Sequence, residues 1–152
     1  MKKMMHALTI TLAAIGALSS LERAEAADTK VWFKAQHSGR YLTVTGLLDN
    51  YPIMQRLTAT GDSRQIFEAK PLGGNVVQLL NTASGKCAAV YGTATQSWSP
   101  IVLKPCALTE NQKFYLNKTA TGVFELKTFG RVDGLCATIA SGSLESGAKL
   151  VQ

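Results

Sequence analysis

The residues in this chain best able to do chemistry are three cysteines, Cys87, Cys106 and Cys136, and two amide–aromatic pairs, Gln65-Ile66-Phe67 and Gln112-Lys113-Phe114. Cysteines can form disulfides, bind metal or attack as nucleophiles, and their neighbours decide which. A metal site needs several ligands at short spacing. His37 is the only histidine after residue 26, and no Cys, Asp or Glu stands at ligand spacing from it. A nucleophile would have only that one imidazole as its base. Asp133 and Glu145 do not form the pattern of a glycosidase pair. Gly73-Gly74 reads as a hairpin turn and not as a phosphate cradle. These residues predict a non-enzymatic binding protein with no metal and no cofactor.

The cysteines then read as structural. Lys2 and Lys3 precede an apolar stretch over residues 7–18, and Ala24-Glu25-Ala26 is a small-x-small cleavage sequence. Residues 1–26 are therefore expected to be a secretory signal peptide, with the mature chain starting near Ala27. The apolar stretch is shorter than the roughly 20 residues a membrane helix needs, and no later segment qualifies. The expected location is secreted, either periplasmic or extracellular, with no transmembrane segment. Three cysteines in an exported chain suggest one disulfide and one remaining thiol. Cys87 and Cys106 lie within one sequence repeat and form the natural pair, worth roughly 3 kcal/mol for a loop of this size. Cys136 occupies the place of Cys87 in the next repeat and is expected to be a free or intermolecular thiol.

The elements that position these residues come from that repeat. Ser38-Gly39-Arg40-Tyr41, Ser84-Gly85-Lys86-Cys87 and Asp133-Gly134-Leu135-Cys136 are three versions of one turn, with glycines 46 and 49 residues apart. Short apolar runs recur between turns: Val31-Trp32-Phe33, Tyr41-Leu42-Thr43-Val44, Val76-Val77-Gln78-Leu79-Leu80, Lys113-Phe114-Tyr115-Leu116 and Val123-Phe124-Glu125-Leu126. They read as strands, and no window past residue 27 has a helical period. The class is all-β. A period near 45 could build propeller blades, but propellers use roughly 4 to 8 of them. Three copies, over 31–74, 76–122 and 123–152, must instead pack around a common axis. The third copy ends before any counterpart of the segment from Cys106 to Gly122. A barrel open on one side is expected, left so by truncation, completed by a partner's strand, or linked through Cys136.

Charge narrows the partners. Of 16 Lys/Arg and 10 Asp/Glu, 13 and 8 lie in residues 27–152, scattered without a run. A mildly basic surface suits acidic glycans, anionic lipid or an acidic protein. No groove-reading motif accompanies it, so direct nucleic-acid binding is not expected.

Gly85-Lys86-Cys87, Cys106 and Gln112-Lys113-Phe114 together resemble the ricin-type β-trefoil, in which six barrel strands are joined to three capping hairpins. The resemblance covers nearly all of residues 27–152. In sugar-binding members it implies a carboxylate two residues after the first Cys, an aromatic platform two residues before the second, and an Asn before the Gln. The middle copy holds Ala89, Lys104 and Asn111 there, and only the amide remains. The first copy holds Thr43, Arg56 and Arg64, and the third Thr138 and Val151. Leu80-Asn81-Thr82-Ala83-Ser84-Gly85-Lys86-Cys87, Val90-Tyr91-Gly92, Cys106-Ala107-Leu108 and Gln112-Lys113-Phe114-Tyr115-Leu116 look like the A and C subunits of cytolethal distending toxin. Those trefoils also lack the sugar trio. The resemblance implies a host glycan or cell-surface receptor as ligand, with a DNase I-like nuclease subunit and a second trefoil subunit as partners. The A-type subunit's aromatic cluster is reduced here to Tyr51.

Individual residues keep two readings each. Gln65 and Gln112 either meet ligand or, as favoured here, bond strand backbone while Phe67 and Phe114 fill the core. Trp98, on a polar loop beside Pro100, either stacks on a sugar or partner or folds onto its own lobe. Tyr91 lines a pocket or covers the disulfide. Asn111, Trp98, Tyr91 and Lys104 are the ligand-binding candidates. Two other functions compete with a delivery subunit. One is a free-standing lectin with a non-standard pocket near Asn111 and Trp98. The other is a trefoil protease inhibitor presenting Arg56 or Lys104.

Overall fold

The computed structural model describes residues 8–11, 29–57, 61–92, 96–130 and 134–152. The proposed cleavage sequence lies outside them, as does Asp133. Strand β1 spans Leu8–Thr11, β2 Thr29–Ala35, β3 Tyr41–Val44, β4 Ile53–Arg56, β5 Phe67–Gly73 and β6 Val76–Asn81. Strands β7 Lys86–Val90, β8 Ile101–Lys104, β9 Phe114–Ala120, β10 Val123–Thr128, β11 Thr138–Ile139 and β12 Leu150–Val151 follow. Among the described residues there is no α-helix.

Pairing closes a ring. β5 pairs with β2 and β6, β9 pairs with β6 and β10, and β1 pairs with β10 and β2, all antiparallel. These six strands form a barrel, and closure removes the exposed edges an open sheet would present. Three hairpins, β3–β4, β7–β8 and β11–β12, cap one end. Single bridges Pro52 to Val102, Pro100 to Val151 and Met54 to Lys149 join each cap to the next around an approximate threefold axis.

The repeated signature is explained by backbone conformation. Gly39, Gly85 and Gly134 turn the chain with φ of 66°, 65° and 55°, a region costly for side chains with a Cβ. At Gly134 a Cβ would also meet the Thr128 carbonyl oxygen at 2.9 Å. Inward residues alternate along the barrel strands. Val31, Phe33 and Ala35 of β2 are buried, as are Phe67 and Ala69 of β5 and Phe114 of β9. The Phe33 and Phe67 rings meet edge to face with centroids 5.7 Å apart. Ile53, Ile101 and Leu150, one from each cap, are also buried in this core. One core holds all three lobes, which is the β-trefoil plan.

The expected open side is paired in the structure. Leu8–Thr11, within the segment read as a leader, lies between β2 and β10. Leu8 aligns with Phe124 and Ala35, just as Phe114 aligns with Val77 and Thr128, and Phe67 with Val31 and Asn81. The strand thus takes the threefold-equivalent place of β5 and β9.

Candidate functional site

A cavity of about 400 Å³ lies on the first lobe. Its walls come from β3 (Thr43, Val44), the end of β4 (Arg56) and the 3-10 turn Ser63–Gln65, with Ser146 reaching in from the third lobe. Asp62 caps that turn: its carboxylate accepts from the Arg64 backbone N–H at 2.9 Å and from the Arg64 guanidinium at 2.7 Å. These hydrogen bonds hold the Asp62 carboxyl below the usual carboxylate range. Arg64 is thereby balanced, and Arg56 leaves the cavity net positive. Its size falls within the range of ordinary small-ligand pockets. The cavity occupies the first lobe's version of the sugar position, where Thr43 and Arg56 replace carboxylate and aromatic.

The Gln of each complete repeat works inside the protein. Gln65 is buried and donates to the Thr43 hydroxyl at 3.0 Å and the Leu57 carbonyl at 3.4 Å. Gln112 is buried, donates to the Pro105 carbonyl at 2.8 Å, and accepts from the Ala107 N–H at 2.8 Å. These amides satisfy turn backbone that has no strand partner. Phe67 and Phe114 fill the core beneath them.

The four ligand-binding candidates of the second lobe do not form one site. The Asn111 amide donates to the Val90 carbonyl at 3.2 Å, and Ala89 is buried, so the equivalent position is filled. Lys104 places its ammonium 5.9 Å from the centre of the half-exposed Tyr91 ring, and these two do come together. Trp98 is 65% exposed at the hairpin tip. Its φ of 69° is strained for a bulky residue, and it is held by the Trp98 N–H donating to the Gln152 carbonyl at 2.7 Å. As for the inhibitor reading, Arg56 and Lys104 both end paired strands and neither sits on a projecting loop.

Cys87 and Cys106 are joined by a disulfide, and Cys136 is a free, half-buried thiol. Among the described residues no group of His, Cys, Asp or Glu is placed to hold a metal ion, and no helix is long and apolar enough to cross a membrane.

The residues of the first-lobe cavity depart from the sugar trio, so that motif does not mark it in the sequence. The one available signal was Asp62-Ser63-Arg64, an acceptor two residues before a donor at the start of a turn.

Three lobes, a closed barrel and a hairpin cap with a lobe-bound cavity define a trefoil binding domain. A family model of the ricin-type beta-trefoil lectin domain-like kind matches residues 63–152, and the chain belongs to that family. No curated protein sequence matches the chain. Among solved structures, the designed threefold protein ThreeFoil shares 23% identity at a TM-score of 0.75, with 81% of this chain and 87% of that one covered. The Haemophilus ducreyi cytolethal distending toxin follows at 17% identity and TM-score 0.64, covering 92% and 81%. The C-terminal half of an earthworm R-type lectin, solved with GalNAc, has 13% identity and TM-score 0.57, covering 81% and 87%. At these identities the likeness establishes the fold.

Proposed function

We propose that this protein is an exported recognition and delivery subunit. It binds a host glycan or cell-surface receptor and docks a DNase I-like nuclease together with a second trefoil subunit, as the resemblance to cytolethal distending toxin implies. One observation carries this reading: the first two lobes keep their structural Gln and Phe residues, while no lobe keeps the sugar-binding trio and only Asn111 of the middle lobe remains from it. The scaffold is maintained and the usual ligand chemistry is not, as suits a trefoil used for protein docking. The disulfide fits an oxidising compartment, as export through residues 1–26 would provide. The test is reconstitution of the purified protein with candidate nuclease and trefoil subunits, alongside binding to intact host cells. Formation of a complex together with saturable cell binding is expected. Absence of both ends the delivery reading.

The first-lobe cavity favours a second reading, a free-standing lectin for acidic sugars. Arg56 would meet a ligand carboxylate, and the paired Asp62 and Arg64 would offer an acceptor and donors to hydroxyls. A glycan array distinguishes the two. The lectin reading expects acidic glycans to bind, Arg56→Ala to abolish that binding, and Asn111→Ala to leave it intact, since the Asn111 amide is spent on Val90. An array with no consistent binder removes it.

A further inference from the structure

The three cap hairpins meet their neighbours through one repeated backbone contact. At the first tip, the Asn50 N–H donates to the Leu103 carbonyl at 2.8 Å, and the Leu103 N–H donates to the Tyr51 carbonyl at 3.0 Å. Trp98 and Ser99 bracket Gln152 in the same way at 2.7 and 3.0 Å, and Gly147 and Ala148 bracket Gln55 at 2.8 and 2.9 Å. The first residue of each pair has a positive φ: 65° at Asn50, 69° at Trp98 and 94° at Gly147. Two lobes fill this place with asparagine and glycine, the residue types that tolerate the conformation. The second lobe fills it with tryptophan and leaves the side chain 65% exposed. Neither the backbone nor the core asks for an indole there. Strain kept under an exposed side chain points to a contact made by that side chain.

The second tip also differs from the others in charge. In two lobes the residue after the turn glycine clamps a neighbouring tip: Lys86 pairs with Asp49 at 2.7 Å, and Arg40 donates to the Leu144 carbonyl at 2.6 Å. For the second tip the equivalent residue is Leu135, and residues 91–100 contain no charged side chain. The tip's other aromatic, Tyr91, is half-exposed and its N–H donates to the Pro100 carbonyl at 2.9 Å. The Lys104 ammonium lies over the Tyr91 ring and has no carboxylate partner among the described residues.

These features select the kind of partner. A sugar stacked on the indole would need acceptors for its hydroxyls. The tip has no carboxylate, and its Gln96 carbonyl is already taken by the Gln152 amide. An anionic lipid surface would call for cations on the tip, and it carries none. Uncharged surface around Trp and Tyr is the composition of a protein–protein interface centre, where Trp is a frequent anchor. We propose that the second cap tip is a protein-docking surface. Trp98 enters an apolar pocket on a partner subunit, and Lys104 meets a carboxylate at the rim of that pocket. This rests on the docking half of the delivery reading and names its anchor.

The test uses the intact protein with the candidate nuclease and the candidate second trefoil, offered one at a time, and reads affinity and melting temperature together. Trp98→Asn and Trp98→Gly copy the other two lobes, so the melting temperature should hold within about 4 °C or rise. Affinity for one of the two subunits should fall at least about thirtyfold. Lys104→Ala should weaken the same complex by a smaller factor and make it less sensitive to salt. Leu72→Asn, which removes an exposed apolar side chain near the end of β5, should leave affinity unchanged. A larger fall in melting temperature in both Trp98 variants would show that the indole is packed as structure and overturn the proposal. A complex that forms equally well with the Trp98 variants would remove it and leave the delivery reading intact. Failure of both subunits to bind the unaltered protein also overturns it, and if cell binding is absent too the delivery reading ends with it. Trp98-dependent binding to a glycan array, or to phosphatidylcholine–phosphatidylserine vesicles, would overturn the choice of a protein and assign the tip to a sugar or a lipid surface.

Discussion

The middle and third lobes place a cysteine at the same point of the same turn, and the two side chains are held differently. Cys87 is fully buried and bonded to Cys106, which pins the first strand of the cap hairpin to the segment leading into Gln112. Cys136 has no such bond, and the third cap is tied instead to the first lobe. Gln55, fully buried on β4, donates to the Ser143 and Glu145 carbonyls at 2.8 and 2.7 Å and accepts from the Ser38 hydroxyl at 2.7 Å. Arg40 adds a bond to the Leu144 carbonyl at 2.6 Å. One lobe is closed covalently and from within, the other by polar contacts from its neighbour. Equivalent places in a repeat fold can thus be stabilised by unrelated interactions.

The largest effect should come from what the lobes share. Phe114→Ala empties a fully buried ring position at the common core and should cost about 3–5 kcal/mol in urea unfolding. A cost below about 1 kcal/mol would mean the lobes do not depend on one core. The disulfide comes next. The double variant Cys87→Ala/Cys106→Ala should lose about 3 kcal/mol by releasing a loop of 19 residues' separation. Cys136→Ala should cost less than about 1 kcal/mol. Equal losses at the two places would erase the contrast between the lobes.

Gln55 tests the other side of the comparison. Gln55→Leu keeps approximate volume but leaves two carbonyls and a hydroxyl without their partner, an expected cost of about 1–3 kcal/mol. The effect should be local. Amide exchange should quicken in residues 140–148 and stay unchanged around Cys87. Uniform quickening would show that the third cap does not rely on this contact.

The parts readable in the sequence are those where one physical demand dictates the residue. Gly39, Gly85 and Gly134 had to be glycine for their positive φ, and so marked the repeat. The alternation in Val31-Trp32-Phe33 and the run through Val76 to Leu80 marked barrel strands. Other parts answered to more than one demand. Leu8-Thr9-Ile10-Thr11 lies in an apolar run behind two lysines, and the same residues suit a leader and a strand. Gln55 shares the inward face of β4 with Ile53, but its partners lie 88 and 90 residues away, beyond any local pattern. The first-lobe cavity needs Ser146 from another lobe. Exposure of Trp98 rests on the turn geometry set by Gln152, distant in sequence.

The smallest effect concerns chemistry at Cys136. Its thiol is pushed up to about 11, first by burial and then by the Glu125 carboxylate 3.2 Å away, against a smaller opposite pull from Lys127. The ordinary thiol titrates near 9, so at pH 8 Cys136 should hold its proton and react slowly with a thiol reagent. Its rate should still be climbing between pH 10 and 11, where an unfolded cysteine would already have nearly levelled off. Because the native state holds this proton more tightly than the unfolded chain, the stabilisation is complete below about pH 9 and disappears as pH rises through 11. Glu125→Gln should move the onset down without restoring ordinary reactivity, since burial is the larger cause. The protonated thiol also exchanges poorly with disulfides. The native protein should therefore stay free of Cys136-linked dimers at neutral pH, which non-reducing mass measurement would check. A doubled mass that collapses on reduction would mean that the third lobe, like the second, is closed by a sulfur bond, only to another chain.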